Sequence, residues 1–305
     1  MRNLRIHILL TLVAFAVILT VVSFAARNSW GQSRTPNTKS PVKPAVRITE
    51  APARGRNAPS AFAGAAAQNA ILANELSWTF GGKQQRGWYL YNQLIQRTLN
   101  SHGDSSTSDF AAALAAWQKK RGLAQSGMLD ENTLMAMIAS WQSGRLKNRT
   151  YADASQLLTG PPSDFYDPSR LDELRGVERE TYGAYKQMIA AAIADPALDL
   201  AHSTANELAP REKYFKIISA FRSREYQDQL RLKSPNSGPA GLAVNSPHFT
   251  GRALDIYVGG DPVDTNDANR AIQVKTPAYQ WLVRNAERFG FRPYFYEPWH
   301  WEYVR

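Results

Sequence analysis

The sequence predicts a mixed α+β protein: a small three-helix bundle, then a C-terminal domain of strands and helices, both behind an N-terminal apolar helix. Three observations carry this. An uncharged apolar stretch lies near the N-terminus, three apolar runs at helical spacing lie between Trp78 and Arg145, and alternating apolar strands separated by punctuated helices follow Ser169. A chain of 305 residues with 44% hydrophobic residues can build two modest domains and their connections.

At the N-terminus, Arg2 and Arg5 precede an uncharged stretch from Ile6 to Ala26 that ends in the small residues Ser23, Ala25 and Ala26 and is followed by Arg27. This is an export signal. Residues 1–27 form either a cleaved signal peptide or a retained membrane anchor, because about 20 apolar residues span a bilayer and Ser23-Phe24-Ala25 is similar to a cleavage site. The expected location is the periplasm or cell envelope, with residues 6–26 as the means of any membrane attachment.

Residues 28–77 read as a Pro/Ala-rich basic linker, in which Arg34, Lys39, Lys43, Arg47, Arg54 and Arg56 face a single acid, Glu50. Much of the net charge of +10 therefore belongs to a tether suited to anionic lipid or wall polymer, and no nucleic-acid partner is expected. The chain contains no cysteine. Disulfides, thiolate metal sites, a cysteine nucleophile and an acylated N-terminal cysteine are excluded, so any metal must be held by His, Asp and Glu.

The bundle is expected over residues 78–145. Leu90, Leu94, Ile95 and Leu99 repeat at helical spacing up to Gly103, and Phe110, Leu114 and Trp117 do so up to Gly122. Asp130 is placed to cap a third helix whose apolar face is Leu134, Met137 and Ile138. Trp117-Gln118, Gly122-Leu123, Gly127 and the run from Asp130 through Thr133 to Leu134 resemble the peptidoglycan-binding type 1 domain. The resemblance implies glycan strands as a possible partner, while each residue of the stripe is, by its chemistry, a core residue.

Residues 146–168, with Pro161-Pro162, read as a second linker, and 169–305 as the C-terminal domain. A helical pattern from Ser169 to Ala194 breaks at Pro196, and His202 lies in a polar connection where a lone histidine is most simply a surface residue. Lys216 to Phe221 read as a strand that delivers Arg222 to a helix capped by Ser223. Alternation from Ala253 to Val258 turns Leu254, Ile256 and Val258 to the core and Asp255 to the opposite face, with His248 and Gly251 in the loop before it. A helix with Thr276 as cap, Pro277 in its first turn and Gly290 at its end leads to the aromatic strand that carries Glu297 and His300.

Taken singly, each of these polar residues is more often structural than functional. Taken together, His248, Asp255 and His300 offer two imidazoles and a carboxylate, a set that suits Zn2+ with one position open, and Glu297 is left over as a base. The segments Ser246-Pro247-His248-Phe249-Thr250-Gly251-Arg252-Ala253-Leu254-Asp255 and Glu297-Pro298-Trp299-His300 closely resemble the VanY-type D,D-carboxypeptidases. These belong to the zinc peptidases grouped with lysostaphin, the D-alanyl-D-alanine peptidases and the hedgehog proteins. Ser219-Ala220-Phe221-Arg222-Ser223 with Gln227 is similar to that family's upstream segment.

The resemblance covers roughly residues 170–305. It implies a small α+β domain with an antiparallel sheet, and zinc held by His248, Asp255 and His300 with Glu297 as general base. It also implies that Arg222, with Ser246 and Gln227, grips or orients a substrate carboxylate. The implied substrate is the D-Ala-D-Ala end of peptidoglycan stem peptides. Endopeptidase or L,D-carboxypeptidase action through the same zinc, and a non-catalytic wall-binding role, are the alternatives. The segment before Lys216 is longer than the family's usual link, which bears on which substrate fits.

Overall fold

The computed structural model describes residues 61–233 and 243–305, which belong to one compact unit. The expected signal or anchor and most of the basic linker lie outside the described residues. Among the described residues, no helix is long and apolar enough to cross a membrane.

The first element, helix α1 (Ala63–Glu75), falls inside the stretch expected to be linker. Its alanines are the strongest helix formers, and composition alone had suggested only a tether. Buried Asn69 fixes the helix in place, with Nδ2 donating to the Gly127 carbonyl at 2.8 Å and Oδ1 accepting from Leu129 N at 2.8 Å. Strands β1 (Ser77–Phe80) and β2 (Lys83–Arg86) form an antiparallel hairpin.

The next three helices match the predicted periodicities. Helix α2 (Asn92–Leu99) ends at Asn100, in the left-handed region and earlier than the expected stop at Gly103. Helix α3 (Ser108–Lys120) is capped by Thr107, and α4 (Glu131–Ser143) by Asp130, whose Oδ1 accepts from Thr133 N at 2.8 Å. Ile95, Phe110, Leu114, Leu134, Met137 and Ile138 are buried between them. Gln118 ties α3 to α4 by donating to Thr133 Oγ1 at 3.0 Å and to the Met128 carbonyl at 2.9 Å.

Beyond α4 the chain runs across the C-terminal part of the protein. Arg149 Nη1 donates to the Asn245 carbonyl at 2.8 Å, and Ala152 N to the Phe249 carbonyl at 2.8 Å. Strand β3 (Leu157–Thr159) pairs antiparallel with β4 (Gly176–Glu178). Helix α5 (Arg179–Ile193) therefore starts ten residues after Ser169, where the helical pattern was expected to begin. Residues 176–178 are held by the strand pairing, and the Glu178 carboxylate caps the helix by accepting from Thr181 N at 2.8 Å. The polar connection after α5 contains a small hairpin, β5 (His202–Thr204) with β6 (Glu207–Leu208), and His202 is exposed on it as expected.

The central feature is a four-stranded antiparallel sheet ordered β7-β8-β10-β9, built from β7 (Ile217–Ser219), β8 (Ala253–Ile256), β9 (Phe291–Pro293) and β10 (His300–Tyr303). Helices α6 (Arg224–Lys233), α7 (Asp267–Gln273) and α8 (Pro277–Asn285) complete this α+β region. Leu254 and Ile256 are buried, as the alternation required, and Trp281, Leu282 and Val283 of α8 are buried as well. Asp255 on the other face is buried too, so β8 is covered on both sides.

Two glycines test the backbone argument. Gly251 has φ +67° and ends the turn that carries His248; a Cβ there would sit 2.7 Å from Leu157 Cδ2 and 2.9 Å from Glu178 N. Gly183, within α5, has open space around it. In denaturant unfolding, Gly251→Ala is expected to destabilise the protein by about 2 kcal/mol or more. Gly183→Ala is expected to stabilise it by ~0.5–1 kcal/mol.

Candidate active site

Three elements bring the polar residues together. Ser246 caps a 3-10 turn, Pro247–Thr250, by accepting from His248 N at 3.3 Å, which fixes His248 at the turn's first corner. Asp255 lies on β8, and His300 is the first residue of β10. The strand register sets Asp255 directly opposite His300 on one side and Ser219 of β7 on the other. The register thus makes neighbours of residues 45 positions apart in the chain.

The donor atoms of His248, Asp255 and His300 all lie within 4.8 Å of one another, and all three residues are buried. Asp255 Oδ1 is the common centre, 3.3 Å from His248 Nε2 and 2.9 Å from His300 Nδ1. Ligands about 2.0–2.1 Å from one tetrahedral ion stand roughly 3.3 Å apart, so these three residues could hold a metal ion.

Hydrogen bonding on the far side of each ring supports the same reading. His248 Nδ1 lies 2.6 Å from the Ala220 carbonyl, which can only accept, so Nδ1 carries the proton and the Nε2 lone pair faces Asp255. A lone pair and a carboxylate oxygen facing each other are two donors that could share a cation. His300 Nε2 donates to Glu302 Oε1 at 3.2 Å, which leaves Nδ1 directed at Asp255. Such outer partners fix the tautomer and direction of metal-ligating histidines.

The titration behaviour follows from burial and neighbouring charge. Burial and the Arg222 guanidinium push His248 down to about 4, the neutral form a ligand needs. Burial would also lower His300, but its bonds to Asp255 and Glu302 outweigh this and raise it to about 9. Burial would raise Asp255, yet His248 and Arg222 hold it well below the usual carboxylate range. Glu302 is likewise held at about 2, because its bond to His300 and the Arg145 charge overcome the cost of burial.

Glu297 lies one turn before His300, with Oε2 4.0 Å from His300 Nδ1. Burial raises its pKa to about 8, with the His300 charge opposing and Asp255 adding to the rise. A carboxylate so placed can hold a proton near neutrality. A dication nearby would draw its pKa down again.

The three residues expected to contact a substrate carboxylate have other partners within the protein. Arg222 Nη2 is paired with Asp255 Oδ2, its Nε donates to Ser219 Oγ at 2.9 Å, and its Nη1 lies 3.4 Å from Gln227 Oε1. Gln227 Nε2 donates to the Ala243 carbonyl at 3.1 Å. Ser246 caps the His248 turn. All three are buried, and their direct contacts are with the scaffold of the cluster.

Glu302 and Arg145 were missed from sequence. Glu302 carries a usable signal: in a strand, residues 300 and 302 share a face, so an acid two places after a ligating histidine is its natural outer partner. Arg145, 157 positions away from Glu302, carries no such signal.

Among solved structures, the one titled "Structure of the LdcB LD-carboxypeptidase reveals the molecular basis of peptidoglycan recognition" is 23% identical, over 52% of this chain and 71% of that chain, with a TM-score of 0.36. No curated protein matches. Residues 177–305, the span that contains Arg222, Gln227, Ser246, His248, Asp255, Glu297 and His300, match the family of VanY, the D-alanyl-D-alanine carboxypeptidase.

Proposed function

We propose that this protein is a zinc peptidase that removes the terminal D-alanine from peptidoglycan stem peptides outside the cytoplasm. The observation that carries the reading is the convergence of two imidazole nitrogens and one carboxylate oxygen, with the buried Glu297 carboxylate 4.0 Å from one of the ligand atoms. Zinc bound there supplies Lewis acidity toward an amide carbonyl and lowers the pKa of a water.

The remaining work belongs to the chain. Glu297 Oε2 takes the proton from the attacking water and returns it to the nitrogen of the departing amine. With a metal bound, the inward nitrogens of His248 and His300 would carry no proton, and Ala220 and Glu302 would hold the ring protons on the outward nitrogens. Arg222 acts through Asp255, holding Oδ2 so that Oδ1 points inward, with Gln227 and Ser219 steadying the guanidinium. Ser246 acts by fixing the His248 turn. The D,D bond is favoured by the family of residues 177–305. The helices before that span are read as peptidoglycan-binding, on the resemblance around Trp117-Gln118, and residues 1–27 as the export segment.

Digestion of defined muropeptides separates the substrates: release of the last D-alanine from a pentapeptide is expected, whereas cleavage of cross-bridges or attack only on tetrapeptides would favour the endopeptidase or L,D-carboxypeptidase reading. Glu297→Gln should retain zinc, measured by metal analysis, while hydrolysis falls by about 10²–10⁴-fold. Undiminished hydrolysis would remove Glu297 from the role of base.

The metal-free protein should also respond to pH in a defined direction. Glu297 titrates near 8 when folded against an ordinary 4.5, so the folded state binds its proton more tightly than the unfolded state does. Stability is therefore lost as pH rises; His300, raised from 6.5 to about 9, adds to the loss in the same direction, and from pH 6.5 upward the opposing effect of His248 is absent because it titrates near 4. Between pH 6.5 and 8 the Glu297 contribution amounts to about 2 kcal/mol. Thermal unfolding of chelator-treated protein should show this decline in the wild type and a shallower one in Glu297→Gln.

A further inference from the structure

The outer nitrogen of His300 is held by an arrangement that originates in the helical segment. Glu302 is fully buried on β10, and each of its carboxylate oxygens is engaged. Oε1 accepts from His300 Nε2 at 3.2 Å and from Arg145 through Nε at 3.1 Å and Nη2, while Oε2 accepts from Leu146 N at 2.9 Å. Arg145 is fixed in turn. Its Nη1 donates to Gln142 Oε1 at 3.0 Å, its guanidinium lies 4.0 Å from the centroid of the Tyr294 ring, and its side chain is only 10% exposed. The Tyr294 ring itself meets the His300 ring edge-on, with centroids 5.9 Å apart. Arg145 follows α4 directly and lies outside the matched residues 177–305.

We infer that Arg145 is a positioning residue for the metal centre, locking the Glu302 carboxylate so that Glu302 in turn aims His300 Nδ1 at the site. The inference rests on the metal-site reading proposed above. A carboxylate held by one partner can rotate about its last torsion. Two Arg145 donors on Oε1 and a backbone N–H on Oε2 fix its plane, and with it the direction of the His300 Nε2–H bond. The helical segment thereby contributes to the metal centre as well as preceding it in the chain.

The test uses the full-length protein with zinc as the probe, titrated in competition with a chromogenic chelator. Loss of the direct outer partner of a ligating histidine, here Glu302, costs about 10–100-fold in metal affinity, so Arg145→Ala, which frees that partner, should bind zinc at least about 10-fold more weakly. Its kcat on a pentapeptide should fall while KM stays unchanged, and Arg145→Lys, which keeps the charge without the paired donors, should lie between. Ile138→Ala, a core change in α4, is the control: it should lower the unfolding midpoint without weakening zinc binding. The inference is overturned if Arg145→Ala binds zinc as tightly as the wild type, or if Ile138→Ala weakens binding as much. If Arg145→Ala does not fold, Arg145→Lys is judged by the same criterion. Wild-type protein that takes up no zinc would overturn the metal-site reading itself, and this inference with it.

Discussion

The pairing of β8 with β10 is the constraint from which the site is built. Their register places Asp255 opposite His300, and one oxygen of Asp255 then faces both histidines. A slip of one residue would turn Asp255 and His300 to opposite faces, because side chains alternate with period two along a strand. Leu254, Ile256 and Trp301 pack into the core from the face opposite Asp255 and His300. Hydrophobic patterning thus sets the geometry of a polar site.

Keeping such a site buried is costly, and the surroundings are arranged to offset the cost. Three acidic side chains, Asp255, Glu297 and Glu302, are buried close together with two imidazoles. Asp255 and Glu302 each have an arginine partner, Arg222 and Arg145 respectively. Glu297 has no comparable ion pair among the described interactions, and its proton affinity rises accordingly. The same burial that makes the paired acids strong ion-pair partners makes the remaining one suited to accept and release a proton.

The helical segment and the active-site wall are packed against each other. Phe295, two residues before Glu297, meets Phe80, Tyr91 and Trp141 at ring-centroid distances of 4.7, 5.4 and 6.1 Å. Arg270 Nη1 links the same regions, lying 3.3 Å from the Tyr91 hydroxyl and 3.1 Å from the Tyr296 carbonyl. The stretch carrying Glu297 is therefore buttressed from both α7 and the N-terminal helices. Packing of this kind limits the motion of the Glu297 side chain.

Legible in the chain were local pieces: the period of α3, the caps of α4 and α8, the alternation of β8, and His248, Asp255, Glu297 and His300 as candidates. These were legible because caps, periods and short motifs act over a few residues. The start of α5 was misjudged because pairing of β4 with β3 claimed residues the helical pattern also suited, and α1 was hidden in an alanine-rich stretch that composition alone assigned to a tether. Tertiary structure alone decided which partners surround the cluster. Arg222 meets Asp255 across 33 residues and Arg145 meets Glu302 across 157, and buried charges choose their partners by proximity in the fold, which leaves no periodicity in the chain to read.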